Sequence, residues 1–319
     1  MTAPLTIVMY HYVRPLARSR FPRIKGLDVT LFDEQIEFLR RNYSIVSMDA
    51  VLDALDGVGE LPARPALLTF DDGYADHYSH VLPRLVDRSL TAAFFPPASA
   101  VMDHRVLDVN KIHFVLASPV PIEQLVAKIE NACRTRSEEF DLKGVAEYRT
   151  EHWMPNEFDP APVNFVKRML QVALPQRLRA ELTARLFSEV VSSDEAAFAE
   201  ELYASVEQLK LMVALGMHVG SHSETHPWLS HLSRVEQERE ILGSLRLLSA
   251  VGMPDARRTL CYPYGEFDAH TIDILKDNGF SAAVTTRTAV AKVAPSERYL
   301  LPRLDTNHLP KDRHAASRP

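Results

Sequence analysis

The 319-residue sequence predicts an α/β fold, a parallel sheet or barrel carrying a large helical insertion. Three observations predict it. Short apolar runs of strand length alternate with amphipathic stretches up to about Ala100, and again after Gly216. Between Asp103 and Leu215 strand signals fade and helical spacing takes over. Several of the apolar runs end abruptly on acids or histidines, and the carboxyl ends of strands are where α/β folds usually place chemistry.

Leu5 to His11 is the first strand, ending on a tyrosine and a histidine. A polar, Arg-rich loop runs from Val13 to about Asp28, after which Thr30 caps a helix with Phe32, Ile36 and Leu39 on one face. Ser44 to Val46 is a short strand and Met48 to Leu55 a short helix. Ala66 to Phe70 reads as a buried strand that stops at Asp71, Asp72 and Gly73; an amphipathic helix follows from Ala75 to Arg88, then a strand from Thr91 to Phe95 closed by Pro96 and Pro97. The helical insertion is expected over Ile122–Cys133, Glu139–Glu151, Asn164–Val172, Gln176–Val190 and Asp194–Leu215, punctuated by Pro155, Pro160, Pro162 and Pro175. Alternation resumes with strand Met217–Gly220, helix Ser233–Ala250, strand Arg258–Tyr262, helix Ala269–Asn278, strand Ser281–Thr285 and a last strand Tyr299–Leu304. The expected division is therefore 1–102 with 216–307 for the alternating core, 103–215 for the insertion, and a flexible polar tail over 308–319.

With 46% hydrophobic residues the chain can bury one large core or two modest ones. A net charge of −6 gives no electrostatic case for nucleic acid or an anionic membrane as partner. Cys133 and Cys261 lie far apart in no metal or redox spacing, so no disulfide framework is expected. No run approaches membrane-spanning length and no signal peptide is legible, so a cytoplasmic location is the expectation.

Three stretches could carry chemistry. Asp71 and Asp72 at the end of a buried strand need a metal, a cationic side chain or a proton to offset their desolvation, although a turn with a helix cap also uses Asp-Asp-Gly. His222 and His226, four apart and followed by Pro227, sit in a loop after a strand. Two imidazoles joined with one of the two carboxylates make a common catalytic set for zinc, and the second carboxylate is then available as a general base. His218 falls on the same strand side and is read as a packing residue or as one that supports the ligand residues from behind. Finally, Cys261-Tyr262-Pro263-Tyr264-Gly265 closes a strand with a rigid loop whose backbone N–H groups could face a ligand; an ordinary turn with a tyrosine lid is the simpler alternative.

Together and in this order, Thr69-Phe70-Asp71-Asp72-Gly73, His222-Ser-Glu-Thr-His226 and Tyr262-Pro263-Tyr264-Gly265 resemble the three motifs of the polysaccharide deacetylase family, the NodB-homology domain of carbohydrate esterase family four. The resemblance covers roughly Pro4 to Ala100 and Gly216 to Asp305 and leaves the insertion unexplained. It implies an irregular (β/α) barrel with fewer than eight repeats. It also implies that Asp71 is the general base, that Asp72, His222 and His226 hold a divalent metal, most often Zn2+, and that the backbone N–H of Tyr264 helps stabilise the oxyanion. The implied substrate is an N-acetylated carbohydrate, with Tyr12, Tyr74, Trp228, Pro263 and Gly265 flanking the site as substrate-binding residues.

Two positions depart from the pattern. The arginine that often opens the family's third motif is replaced here by Cys261, and Arg303 in the last strand is the expected substitute for orienting Asp71. The family's carboxyl-terminal histidine acid has no copy, since His308 sits in a poor context. Some members look circularly permuted, with a Met-Tyr-His strand end near the amino terminus; Met9-Tyr10-His11 is such a strand end, which nominates His11 as the general acid. The sequence thus predicts a metal-dependent N-deacetylase acting on a surface polysaccharide or its nucleotide- or lipid-linked precursor. A hydrolase of a small non-sugar amide and a non-catalytic glycan-binding relative are the alternatives.

Overall fold

The computed structural model describes residues 4–316, and the chain divides into two compact units. The first unit comprises residues up to Pro15, Gly26–Arg105 and the chain from Ala199 onward; the second comprises Leu16–Lys25 and Val106–Phe198.

The first unit is built on short parallel strands: β1 (Thr6–Tyr10), β2 (Val13–Arg14), β3 (Leu27–Asp28), β4 (Ser44–Ile45), β5 (Pro65–Asp71), β6 (Ala93–Phe95), β7 (His218–Val219), β8 (Thr259–Cys261), β9 (Ala282–Val284) and β10 (Leu304–Asp305). The main sheet runs β10-β1-β5-β6-β7, with β4 alongside the start of β5. A parallel bridge between Ser221 and Leu260 carries the pairing on to β8 and β9, and another between Val284 and Leu301 returns it toward β10. The ladder of β1, β5, β6, β7, β8, β9 and β10 therefore closes on itself, an irregular barrel of fewer than eight strands. All seven residues of β5 are buried, as a strand covered on both faces must be. Its outer face packs Leu68 and Phe70 against Val8, Tyr10, Phe32 and Phe94. Tyr10, Phe70 and Phe94 stack in a row across three adjacent strands, at centroid spacings of 4.8 and 4.9 Å.

Several elements differ from the sequence expectation for identifiable reasons. The helix after β5 begins as a wide turn, His77–Val81, before the regular turn Leu82–Val86; Pro83 has no N–H to return to the preceding turn. The stretch Asp194–Leu215 breaks into Glu195–Leu202 and Val206–Ala214, because Ser205 caps the second helix in a reciprocal capping box with Gln208. That second helix belongs with the barrel rather than the insertion: Leu209 and Met212 are buried in the barrel's core. The strand expected over Tyr299–Leu304 forms only at Leu304–Asp305, preceded by the bridge at Leu301. The tail folds back on the first helix. Arg313 pairs with Glu34, and Gln35 donates to the carbonyls of Thr306, Leu309 and Pro310. Residues 317–319 of the expected tail lie outside the described residues.

The second unit is helical: Asp108–Ala117, Ile122–Thr135, Ser137–Phe140, Val145–His152, Ala161–Arg168 and Gln176–Val190, with a wide turn at Met169–Ala173. The loop read as simply polar contributes to this core, since Phe21 is buried with its ring 5.0 Å from Phe114 and 6.0 Å from Phe198. Asp141 in the left-handed region ends the segment Ser137–Phe140, which is why the helix expected over Glu139–Glu151 starts only at Val145.

Candidate active site

The site lies at the carboxyl ends of the barrel strands. β5 delivers Asp71 as its last residue, and the chain then turns sharply: Asp72 has φ 70° and Gly73 φ 67°. A Cβ on Gly73 would lie 2.5 Å from Pro96, so only glycine lets the turn pack against the end of β6. The turn separates the two carboxylates and gives them different partners.

Asp71 faces Arg303. The guanidinium, completely buried, donates through both terminal nitrogens to the two carboxylate oxygens at 2.7 Å, and also to Thr69 Oγ1 at 3.1 Å. Burial by itself would push the Asp71 carboxyl up, but Arg303 reverses this and holds it at about 2. The position that Cys261 occupies places its Sγ 3.1 Å from the same guanidinium, and burial keeps that thiol neutral. The short side chain at 261 thus leaves room for an arginine that arrives from the last strand. His11 Nε2 stands 3.9 Å from Asp71 Oδ2, and the His11 side chain is 43% exposed, the accessible edge of an otherwise buried group. His77 Nε2 hydrogen-bonds the backbone carbonyl of His11 at 2.9 Å and so fixes the residue that carries this imidazole.

Asp72 faces the histidines. Its Oδ1 is 3.5 Å from His222 Nε2 and 3.6 Å from His226 Nε2, and its Oδ2 accepts a hydrogen bond from Tyr74 at 2.5 Å. Burial would raise the Asp72 carboxyl, but His222 and His226 hold it well below the ordinary carboxylate range. His222 Nδ1 lies 2.7 Å from the Cys261 carbonyl, which fixes the tautomer that turns Nε2 toward Asp72. Burial, reinforced by His222, pushes His226 down to about 3, so its ring is neutral at ordinary pH and carries a lone pair.

These donors fit a divalent cation. Ligand atoms about 2.0–2.2 Å from a tetrahedral ion stand about 3.3 Å from one another, and the spacings here are 3.5 and 3.6 Å. Asp72, His222 and His226 offer three ligand atoms within 4.8 Å, which leaves a fourth direction for water or substrate. Asp71, His222 and Cys261 also converge within that distance, but Arg303 occupies both oxygens of Asp71 and the thiol is held protonated. The donor chemistry therefore favours Asp72 as the carboxylate ligand.

The loops holding these groups are strained in a localised way. Four non-glycine residues with positive φ gather here: Asp72, Ser223 (63°), His226 (62°) and Tyr264 (58°). Each such residue costs on the order of 1 kcal/mol or more and persists only where its surroundings over-determine it. Those surroundings are visible. Ser221 Oγ accepts from the Ser223 amide and Ser223 Oγ from the His226 amide, while the Ala98 amide donates to the Ser223 carbonyl. Around Tyr264, a Cβ on Gly265 would fall 2.0 Å from Thr286 Oγ1.

Of the expected substrate-binding residues, Trp228 and Tyr264 are half-buried and stack at 4.2 Å, forming one flat apolar wall beside His226. Pro263 is buried beneath it and Gly265 is half-buried at its edge. Tyr12 and Tyr74 are a correction to the sequence reading. Both are buried and stacked on each other at 4.0 Å, so neither offers an open ring face to a ligand, and Tyr74 instead donates its hydroxyl to Asp72. The supporting roles of Tyr74 and His77 and of the Cys261 carbonyl escaped the sequence reading. Tyr74 carried a usable signal, because a tyrosine two residues past a buried acid is within reach of it.

A polysaccharide deacetylase family model matches residues 158–283, a span that includes His222, His226 and Tyr264. Among solved structures, the chain is similar to the Streptococcus pyogenes deacetylase PplD in complex with acetate, at 16% identity and a TM-score of 0.58 over 96% of this chain and 93% of that one. It is similar to IcaB from Ammonifex degensii at 20% identity and 0.58, with the same coverage of 96% and 93%. It also resembles a de-N-acetylase from Aggregatibacter actinomycetemcomitans at 16% identity and 0.54, over 98% and 97%. No curated protein matches the sequence significantly. The fold is thus that of these solved deacetylases, and residues 158–283 of the chain match the polysaccharide deacetylase family model.

Proposed function

We propose that the protein is a metal-dependent N-deacetylase that removes acetyl from an N-acetylated sugar, in a surface polysaccharide or its nucleotide- or lipid-linked precursor. The observation that carries this reading is the division of labour within one dipeptide: Asp72 converges with the Nε2 atoms of two imidazoles at ligand spacing while Asp71 is held apart, ionised, by Arg303. The family match and the acetate complex of a structural neighbour support the same chemistry.

Asp72, His222 and His226 would hold the cation, zinc being the usual choice for such a set; when bound it supplies Lewis acidity toward the amide carbonyl and toward water. Asp71, ionised down to about pH 2, accepts a proton from the attacking water, and Arg303 keeps both its oxygens aimed. His11, 3.9 Å from Asp71 and exposed on the open side, donates a proton to the departing amine. On this reading the backbone N–H of Tyr264 is assigned to the developing oxyanion and the Trp228–Tyr264 wall to the apolar face of the sugar ring.

The test pairs metal content with acetate release. Wild-type protein loaded with zinc should hold about one ion per chain and release acetate from N-acetylglucosamine oligomers, and His222→Ala should do neither. Failure of the wild type to bind any divalent metal after loading at neutral pH would sink the mechanism.

A further inference from the structure

The second unit holds a cavity of about 230 Å³ unconnected with any residue of the deacetylase chemistry, lined by Arg23, Lys25, His113, Leu116, Ala117, Asp159, Val163 and Lys167. Its polar end is built around Asp159, whose residue is 5% exposed. Lys25 donates to one carboxylate oxygen at 2.5 Å and Lys167 to the other at 2.7 Å, so one buried negative charge lies between two ammonium groups. Burial would raise the Asp159 carboxyl, but Lys167 and Lys25 bring it below its ordinary range, so it stays ionised.

The turn presenting Asp159 is fixed in advance. Asn156 Oδ1 accepts from the amides of Phe158 and Asp159, its Nδ2 donates to Asn164 Oδ1, and Asn164 in turn donates to the Met154 carbonyl. Arg23, on the same lining, is exposed and has no ion-pair or hydrogen-bond partner among the described residues. Three fixed cations against one carboxylate leave the polar end with a net positive charge of two, while Leu116, Ala117 and Val163 make the remaining wall apolar. A surplus of positive charge beside an apolar wall is the complement of an amphiphilic anion.

We infer that this cavity of the helical unit is a binding site for a small organic anion, a phosphate or carboxylate head held by Arg23, Lys25 and Lys167 with an aliphatic portion laid on Leu116, Ala117 and Val163. The inference does not rest on the deacetylase reading, and its test contains no activity measurement.

Isothermal titration of the full chain with hexyl phosphate, hexanoate and inorganic phosphate reads the site directly. Hexyl phosphate should bind about tenfold or more tighter than inorganic phosphate, because only it buries a chain on the apolar wall. Arg23→Glu reverses an unpartnered exposed charge, so it should leave the fold intact and weaken hexyl phosphate by about tenfold or more; Arg239→Glu, an exposed arginine of the other unit, should leave binding unchanged. Co-flotation with vesicles containing anionic phospholipid, lost in Arg23→Glu, would support the site and assign the anion to a bilayer lipid. Hexyl phosphate binding without co-flotation would support it and assign the anion to a soluble ester. Absence of heat with both organic anions, equal affinity for inorganic and hexyl phosphate, or binding indifferent to Arg23→Glu would each overturn the inference.

Discussion

Asp71 and Asp72 are adjacent in the chain, both buried, and chemically identical, yet the fold assigns them to different work. Asp71 ends a regular strand and meets a guanidinium, a permanent cation that occupies both of its oxygens. Asp72 has turned into the left-handed region and meets two imidazoles, which can be neutral and can share their lone pairs with a metal. The difference lies in the partner: an arginine cannot give up its proton, so it fixes a charge, whereas a histidine can, so it fixes a vacancy for one. The rotation of one peptide unit at Asp72 is what sends two adjacent carboxylates to different partners, and it lets a single dipeptide supply both halves of the hydrolytic site proposed above.

The strongest way to break the comparison is to remove one half. His222→Ala takes away one of the three proposed ligands, and metal content should fall from about one ion per chain to near zero, with turnover lost by about three orders of magnitude or more. The Asp71–Arg303 pair should survive, so the variant should stay folded with a melting temperature close to that of the metal-free wild type. Loss of the fold instead would mean that the two halves are not separable.

The complementary removal is Arg303→Ala. It strands a buried carboxylate, and breaking such a pair from one side typically destabilises by about 3–5 kcal/mol, to be read by denaturant unfolding. The pH dependence has a definite sign. In the wild type Asp71 lies at about 2, below its ordinary 3.8, so its contribution to stability is fully present above that ordinary value and is lost as pH falls toward 2. In Arg303→Ala burial is opposed only by His11 and His222, the carboxyl rises, and the acid limb of kcat/KM should move to higher pH while metal binding is retained.

Sharpening the Asp71 half calls for His11→Gln. The imidazole is 43% exposed and stands 3.9 Å from Asp71, while it reaches Asp72 and His226 only through its charge, so kcat should drop by about 10²–10⁴-fold with a much smaller change in metal content or stability. An unchanged kcat would remove His11 from the proposed proton transfers.

How far the site was legible from sequence follows the same division. The residues proposed to touch chemistry sit at strand ends and announce themselves: a buried apolar run that stops on Asp71 and Asp72, and histidines at a tight loop spacing, are costly without a function. Even Arg303 was reachable, because Cys261 left an acid without its cation and few arginines lie on strand-like stretches. What was hidden is what supports these groups from below. That Tyr12 and Tyr74 stack face to face inside the protein is a tertiary fact with no local signature, and an aromatic residue near a site reads equally well as platform or as buttress. The fold class was legible from the alternation of periods, whereas the limits of the insertion were not. A helix such as Val206–Ala214 looks the same in sequence whether its apolar face meets other helices or a barrel, and Phe21 is a single apolar residue in a polar loop.

The smallest predicted effect isolates that hidden layer. Tyr74→Phe keeps the stacked ring under Tyr12 and deletes only the hydroxyl that donates to Asp72 Oδ2. The oxygen left behind is buried and loses its hydrogen bond, so the carboxylate is free to rotate about the axis that points Oδ1 at His222 and His226. Loss of such an outer partner commonly weakens metal binding by about 10–100-fold, which competition with a chelator would measure. Asp71 is untouched by this change, so the acid limb of kcat/KM in the fully metal-loaded variant should stay where it is in the wild type. A shift of that limb would show that the two carboxylates communicate through more than their shared backbone, and the contrast between a charge-fixing and a metal-fixing aspartate would have to give way to a single coupled pair.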